Sequence, residues 1–104
     1  MKTSFIYITV GSIEEAGAIA KELVSKRLAA CANIIDSMNS IYWWDGKIQE
    51  DKEVVLIAKT KESLVPALIE KTKSLHSYDC PCIVSLPITD GNKPFLEWIV
   101  EETE

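Results

Sequence analysis

The segment from His76 to Cys82 holds the densest set of side chains in this chain that could do chemistry. It contains one imidazole, one phenol, one carboxylate and two thiols. Imidazole and thiolate groups suit copper and zinc ions, so we predict a metal site formed by His76, Cys80 and Cys82. The spacing matches no standard metal motif. The alternative is therefore that His76 and Tyr78 satisfy backbone groups at an interface while one cysteine is a small core residue.

Three further residues with reactive or charged side chains lie in predicted strands: Cys31, Glu53 and Lys59. Cys31 is either a small buried residue at a helix-to-strand junction or a third soft ligand. Glu53 and Lys59 are an even number of residues apart on one strand, so both side chains project from the same face. They either pair across a subunit boundary or line a ligand pocket.

Sequence motifs of several enzyme and carrier classes are absent. The loop that follows the first predicted strand, residues 10–13, holds neither a Cys-x-x-Cys pair nor an arginine. A copper chaperone of this fold would need the first, because two thiolates clasp a soft metal, and an acylphosphatase would need the second to hold phosphate. The chain also has no Walker loop and no HExxH helix. We predict that the protein is not an enzyme.

Composition predicts one globular domain that spans residues 1–104. Hydrophobic residues make up 47% of the chain and charged residues 26%, and the net charge is −5. This negative charge disfavours binding to nucleic acid or to an anionic membrane. No apolar run approaches the ~18 residues of a membrane span. Three cysteines form a poor disulfide framework, and the first apolar run is too short for a signal peptide, so we expect a cytoplasmic protein.

The longest predicted element is a β-hairpin that runs from Cys31 to Thr60. Asp45-Gly46 lies between runs of β-branched and aromatic residues, which is a strong signal for a two-residue turn. Without a bulge, residues whose numbers sum to 91 would face each other. The expected pairs include Trp44 with Lys47, Ile34 with Ile57, and Cys31 with Thr60.

This hairpin is too long for its own domain. A strand from Cys31 to Trp44 spans about 46 Å, whereas a compact chain of this size is roughly 33 Å across. Its far end should therefore extend beyond the core and expose apolar side chains, and exposed apolar strands need cover from another chain. We predict an obligate oligomer whose interface contains Ile41, Tyr42, Trp43, Trp44 and Ile48. The alternative is a bulge near Asp36–Asn39 that bends the hairpin back onto its own core.

The remaining elements predict a ferredoxin-like fold of class α+β. An apolar strand at residues 5–10 precedes a helix with a Ser12–Glu15 capping box, and Lys26 and Arg27 fall in the last turn of that helix. After the hairpin come a helix to about residue 75, a strand over residues 82–86, and a last helix capped by Asn92. The order is βαββαβ plus a C-terminal helix, which places two helices on one face of a four-stranded antiparallel sheet.

Four segments of the chain resemble the CutA family, which is named for divalent-cation tolerance. They are Arg27 to Ile34, Ile41 to Ile48, Glu53 to Thr60, and His76 to Tyr78 together with Pro81. The resemblance implies a ferredoxin-like protomer in a tight, PII-like homotrimer. It also implies a pocket between subunits, formed by Cys31, Tyr42, Trp44, Glu53, Lys59, His76 and Tyr78.

The chain differs from the family at positions linked to copper. Ile8 and Leu75 stand where the family's suggested copper ligands include a cysteine and one of two histidines, so His76 alone remains of that set. Cys80 and Cys82 are substitute donors for copper or zinc. The resemblance implies a cytosolic homotrimer that acts in tolerance to divalent metals, copper among them, with weak metal binding. Two alternatives stay open: a PII-like regulator that binds a small anionic or zwitterionic effector near Lys59 and His76, and a trimeric adaptor without a ligand.

Overall fold

A computed structural model describes residues 2–104 of the protein. The chain forms four strands and three α-helices, and a 3₁₀ turn at Glu62–Leu64 leads into the second helix. In chain order the elements are β1 (Thr3–Val10), α1 (Ile13–Ser25), β2 (Cys31–Trp44), β3 (Lys47–Lys61), α2 (Val65–Leu75), β4 (Ile83–Ile88) and α3 (Lys93–Glu101). None of the helices within residues 2–104 combines the length and the apolar character needed to cross a membrane.

The four strands form one antiparallel sheet in the order β2-β3-β1-β4. Alternate residues of β1 and β3, including Ile6, Ile8 and Leu56, are fully buried beneath Leu23 of α1 and Leu68 of α2. This arrangement confirms the predicted ferredoxin-like α+β fold. The burial of these side chains is the main stabilising contribution, at about 1.5–3 kcal/mol for each large aliphatic group.

The opposite face of the sheet is only partly covered. Phe5 and Tyr7 of β1 are half-buried on this open face, and Val84 and Leu86 of β4 are 47% and 48% exposed. The nearly continuous apolar sequence of β1 indicates a strand covered on both faces, but the structure covers one face fully and the other in part. The open face is where the cleft described below lies.

The hairpin turns at Asp45-Gly46 as predicted, with φ angles of 53° and 74° at its two residues. Positive φ at both central residues is what a type I′ turn requires. In the half next to this turn the predicted register is confirmed, because Trp44 faces Lys47 and Met38 faces Glu53.

The predicted register is wrong in the other half of the hairpin. A β-bulge between Ile35 and Met38 places two residues of β2 opposite one of β3, and Ser37 takes a φ of 64°. From Cys31 to Ile35, on the core side of the bulge, the pairing is shifted by one residue from the prediction. Ile34 faces Leu56 instead of Ile57, and Cys31 faces Lys59 instead of Thr60.

The bulge does not fold the hairpin back onto its own core. We call the part of the hairpin between the bulge and the turn, residues 38–53, the arm. Ile41, Trp43 and Ile48 of the arm are 68%, 70% and 61% exposed. The molecule measures 44 × 25 × 22 Å, so its long dimension exceeds the roughly 33 Å of a compact chain of this size. The prediction that the arm extends beyond the core is confirmed.

Several predicted element ends differ from those in the structure. Helix α1 ends at Ser25, so Lys26 occupies the C-cap and Arg27, with a φ of 60°, lies outside the helix. Strand β4 continues through Pro87, which an edge strand tolerates because one side of its backbone has no strand partner. Asn92 is the N-cap of α3 as predicted, but its side chain makes no capping hydrogen bond, and only its backbone carbonyl accepts the first hydrogen bonds of the helix.

Candidate functional site

A cleft of about 710 Å³ opens on the uncovered face of the sheet, where the arm joins the core. Strands β1, β2 and β3 form its floor, and the connector between α2 and β4 forms one wall. Clefts of this volume are typical of small-molecule sites. The residues that line it are Tyr7, Thr9, Met38, Asn39, Ser40, Ile41, Tyr42, Trp44, Glu53, Tyr78, Asp79, Cys80 and Cys82.

The β-bulge determines which aromatic residues of β2 belong to this face. Residues that pair directly across antiparallel strands share a face. Met38 pairs with Glu53, and beyond it Tyr42 and Trp44 alternate on the same side, toward the cleft. Trp43 and its partner Ile48 project from the other side of the arm.

The phenols of two tyrosines donate hydrogen bonds to carboxylates of β3. Tyr78 Oη lies 2.8 Å from Glu53 Oε2, and Tyr42 Oη donates to Asp51 Oδ2. Desolvation, followed by the hydrogen bond to Glu53, raises the pKa of Tyr78 well above that of an ordinary phenol. The hydrogen bond to Asp51 is the main cause that raises the pKa of Tyr42. Both phenols are therefore neutral donors at physiological pH, and they orient the two carboxylates.

His76 does not line the cleft but packs against Tyr78, which does. Its side chain is fully buried, and the Nε2 atom lies 2.8 Å from the carbonyl oxygen of Thr9. The backbone N–H of Tyr78 donates to Nδ1 over 3.1 Å, so the ring carries its proton on Nε2 and donates to Thr9. The two rings pack with their centroids 4.7 Å apart. Both ring nitrogens are thus engaged within the protomer.

Glu15 of α1 fixes the connector that carries Tyr78. One carboxylate oxygen accepts from the backbone N–H of Ser77 at 2.7 Å, and the other accepts from the Ser77 hydroxyl at 2.8 Å. The predicted capping box is therefore only half formed. Ser12 accepts from the Glu15 N–H at 3.1 Å, but the Glu15 side chain reaches Ser77 instead of returning to Ser12.

Gly11 gives the Tyr78 ring the space that it occupies. A Cβ atom added at this glycine would lie 3.3 Å from Tyr78 Oη and 3.5 Å from the edge of the ring. The first distance is tighter than most Cβ contacts and the second is an ordinary van der Waals contact, so a side chain at residue 11 would push the Tyr78 phenol aside by a few tenths of an ångström.

The predicted pocket residues divide into three groups. Four of them, Tyr42, Trp44, Glu53 and Tyr78, lie together in the cleft, and His76 lies behind it. Cys31 and Lys59 form a separate cluster at the other end of the sheet. There Lys59 Nζ lies 2.7 Å from Asn33 Oδ1, 3.8 Å from Cys31 Sγ and 6.0 Å from the centre of the Phe95 ring.

The comparisons with known proteins agree with this geometry. The family model for the CutA1 divalent ion tolerance protein matches residues 4–102. The divalent-cation tolerance protein CutA of Thermus thermophilus is 49% identical over 98 residues, which cover 94% of this chain and 95% of that protein. The chain belongs to the CutA1 divalent ion tolerance family.

Solved structures of CutA proteins superpose closely on this one. The Thermus thermophilus protein matches with a TM-score of 0.96 at 47% identity, and 98% of this chain and 99% of that chain are covered. The periplasmic divalent cation tolerance protein CutA from Archaeoglobus fulgidus matches with a TM-score of 0.94 at 46% identity, again over 98% and 99%. The chloroplastic CutA 1 of rice is 46% identical over 94% of this chain, but the chain spans only 55% of its length.

The metal site predicted for this CutA1 chain is not assembled in the protomer. Cys80 and Cys82 are free, exposed thiols that line the cleft, whereas His76 is buried and both of its nitrogens are hydrogen-bonded. Within residues 2–104, no three or more His, Cys, Asp or Glu side chains are grouped to hold a metal ion. The donor set of one protomer therefore does not fit a resident copper or zinc ion.

Several residues of the cleft were not predicted from the sequence. Tyr7, Met38 and Asp51 lie at the floor or beside it, and Tyr7 Oη donates to Met38 Sδ over 3.5 Å. Alternation along β1 and β3 would have placed Tyr7 and Asp51 on the open face with Glu53. Met38 could not be placed in this way, because its face depends on the bulge.

Proposed function

We propose that this CutA1-family chain acts as a cytoplasmic homotrimer in tolerance to divalent cations, and that it is a binding protein and not an enzyme. The family match over residues 4–102 supports the role in tolerance. The proposed oligomer is supported by the apolar surface of the arm, where Trp43 is 70% exposed beside Ile41 and Ile48. Exposed apolar side chains do not stabilise an isolated chain, whereas a neighbouring subunit would bury them and so stabilise the assembly. Free thiols at all three cysteines are compatible with a reducing compartment.

Copper and zinc are the cations that we propose to test first. Cys80 and Cys82 place two soft donors at the cleft, and a further ligand could come from a second subunit. The test is a deletion of the gene in the source organism, followed by growth in graded concentrations of copper and zinc salts. We expect the deletion strain to be more sensitive than its parent and the wild-type gene to restore growth. Equal growth of the two strains at every concentration would refute the role in tolerance.

Direct metal binding needs its own measurement. We would titrate Cu(I) and Zn(II) by calorimetry into the wild-type protein, a Cys80→Ser/Cys82→Ser variant and, as a control, a His76→Ala variant. If the thiols bind metal, the double variant loses the heat signal while the control keeps it, because both His76 nitrogens are already engaged in the protomer. Identical curves for the wild type and the double variant would remove these thiols as metal ligands.

The size and lining of the cleft favour a second role, as a regulator that binds a small effector. Its volume of about 710 Å³ lies within the range of small-molecule sites. The sequence predicts a small anionic or zwitterionic effector near Lys59 and His76, but neither of these residues lines the cleft of the protomer. A thermal-shift screen of metabolites at fixed protein concentration tests this role, since a bound ligand raises the melting temperature. If no compound does so, this second role fails.

A further inference from the structure

We propose that Asp90 is a site of spontaneous modification, where the Asp90-Gly91 peptide rearranges through a cyclic imide to isoaspartate. The isoaspartyl carboxylate then makes the protein a substrate for a carboxyl methyltransferase that uses S-adenosylmethionine, the class of enzyme that recognises this altered residue. This chemistry goes beyond the proposed role in cation tolerance. It needs neither the cleft nor a neighbouring subunit, because the reacting atoms belong to adjacent residues of one chain.

The rearrangement is a reaction of the aspartate side chain with the backbone of the next residue. The nitrogen of Gly91 attacks Cγ of Asp90, the new N–Cγ bond closes a five-membered ring, and the amide proton leaves with the carboxyl OH as water. A second water molecule then opens the imide. Opening at the backbone carbonyl of Asp90 leaves the chain running through Cβ and Cγ, which is isoaspartate. The water that was lost is regained, so no oxidant, metal or second substrate takes part.

Two features of Asp90-Gly91 favour this reaction. The first is contact, because the Gly91 N–H donates to Asp90 Oδ1 over 2.9 Å and the carbon that bears this oxygen therefore lies beside the attacking nitrogen. Groups held close together before a reaction need little further ordering. The second feature is the glycine, which has no side chain to obstruct its nitrogen. Both residues lie in an exposed loop between β4 and α3, where water can reach the imide.

Two other aspartates each have only one of these features. Asp45-Gly46 has the glycine, but both residues are held at positive φ in the turn of the arm. Among residues 2–104, the contact between the carboxylate and the next backbone nitrogen is found at Asp36 and Asp90 but not at Asp45. Asp36-Ser37 has this contact, at 2.7 Å, but Ser37 carries a side chain and is held at a φ of 64° in the bulge. Asp90 combines both features.

The loop lies away from the arm and leads directly into α3. Ile88, at the end of β4, pairs with Thr3 at the end of the sheet opposite the arm. The carbonyl of Asn92 accepts hydrogen bonds from Phe95 and Leu96 at 3.0 and 3.1 Å. Isoaspartate adds one atom to the backbone path just before this cap, so we expect faster amide hydrogen exchange at residues 93–96 in the modified protein. Unchanged exchange there would refute this consequence.

The experiment ages the protein and then locates the isoaspartate. The full-length protein, in its native assembly, is incubated for several weeks at physiological temperature and neutral pH and is then digested. An isoaspartyl methyltransferase with labelled S-adenosylmethionine marks the peptides that contain isoaspartate, and mass spectrometry identifies them. We expect label in the peptide with residue 90 and at least about tenfold less in those with residues 36 and 45, because a misplacement of ~1 Å can cost about 10²-fold in rate.

Two variants test the two reacting groups. Gly91 does not have a positive φ, and a Cβ there would lie 3.4–3.6 Å from the Leu96 side chain, which is ordinary contact. Gly91→Ala should therefore keep the melting temperature, while its methyl group slows labelling about tenfold, as a barrier about 1.4 kcal/mol higher would do. Asp90→Glu keeps the carboxylate but would need a larger ring, so we expect no label at residue 90. Light scattering of both variants checks that the assembly is unchanged.

Four results would overturn the proposal. The first is no label at residue 90 in the aged wild type, and the second is equal or greater label at residue 36 or 45. The third is equal labelling of the wild type and Gly91→Ala. The fourth is a labelled peptide with the mass change of deamidation, which would assign the isoaspartate to Asn92, since isomerisation of aspartate leaves the mass unchanged. The growth of the deletion strain in metal salts is measured separately, so failure here is distinguishable from failure of the role in tolerance.

Discussion

Replacement of Trp43 by alanine gives the sharpest test of the trimer. The indole is 70% exposed in the isolated protomer, on the side of the arm that also carries Ile41 and Ile48. If a neighbouring subunit covers this side, Trp43→Ala removes apolar contact from every interface of the assembly. The protomer itself loses little apolar burial, because the Trp43 side chain is mostly exposed in it. We therefore expect weaker assembly without unfolding.

The magnitude follows from the area of the side chain. Burial of a tryptophan removes about 200 Å² from water, and 70% of that leaves about 140 Å² for a neighbour to cover. At about 25 cal/mol per Å² this amounts to about 3.5 kcal/mol per subunit and about 10 kcal/mol per trimer. The dissociation constant of the trimer then rises about 10⁷-fold. Because three chains associate, the midpoint concentration rises with the square root of this factor, which is roughly 10³-fold to 10⁴-fold.

Light scattering over a dilution series from about 100 µM to 0.1 µM measures this shift. Three chains of 11.6 kDa give a trimer of about 35 kDa. We expect the wild type to keep this mass throughout and Trp43→Ala to fall toward 11.6 kDa on dilution. Ile13→Ala is the control, since Ile13 is 44% exposed on α1, away from the arm. A well-folded wild type of 11.6 kDa, or a variant that keeps the trimer mass at every dilution, would refute the reasoning.

Three further predictions concern stability and pH. Tyr78 has a raised pKa in the folded state, so the contribution of its neutral phenol to the free energy of unfolding is fully present below pH ~10 and is lost as the pH rises above that value. The variant Tyr78→Phe has no phenol to ionise, so its free energy of unfolding should decline less steeply in alkaline solution. Thr60 is fully buried and its hydroxyl has no hydrogen-bond partner among residues 2–104, so Thr60→Val should stabilise the protein by about 1 kcal/mol in urea unfolding. Thr72→Val should not, because the Thr72 hydroxyl donates to a helix carbonyl over 2.8 Å. Glu15→Ala removes both bonds to Ser77 and should cost about 2 kcal/mol, with faster amide hydrogen exchange over residues 77–82; unchanged exchange there would contradict the role given to Glu15.

Those parts of the fold that depend on local sequence were predictable. Asp45-Gly46 specifies its turn because glycine adopts positive φ without strain and aspartate tolerates it. The order of strands and helices follows from periodicity, and the position of Ser12 follows from cap chemistry. These signals act over a few residues and need no knowledge of the rest of the chain.

The register of the hairpin and half of the site were not predictable in this way. The bulge depends on Ser37 taking a positive φ, which serine rarely adopts, and on Asp36 Oδ1 accepting its N–H over 2.7 Å. The cleft joins Tyr78 to Glu53 across 25 positions of sequence, and His76 to Thr9 across 67. Such contacts arise from the packing of three strands and a connector, and no motif within any one segment encodes them.

The bulge at Asp36–Ser37 also makes the two halves of the hairpin independent of each other. The core fixes the pairing from Cys31 to Ile35, whereas the Asp45-Gly46 turn fixes the pairing of the arm. Whole pairs of residues can therefore be added next to the turn or removed from it without moving any side chain of the core. The length by which the arm extends beyond the core is thus adjustable, while the buried part of the sheet keeps its alignment.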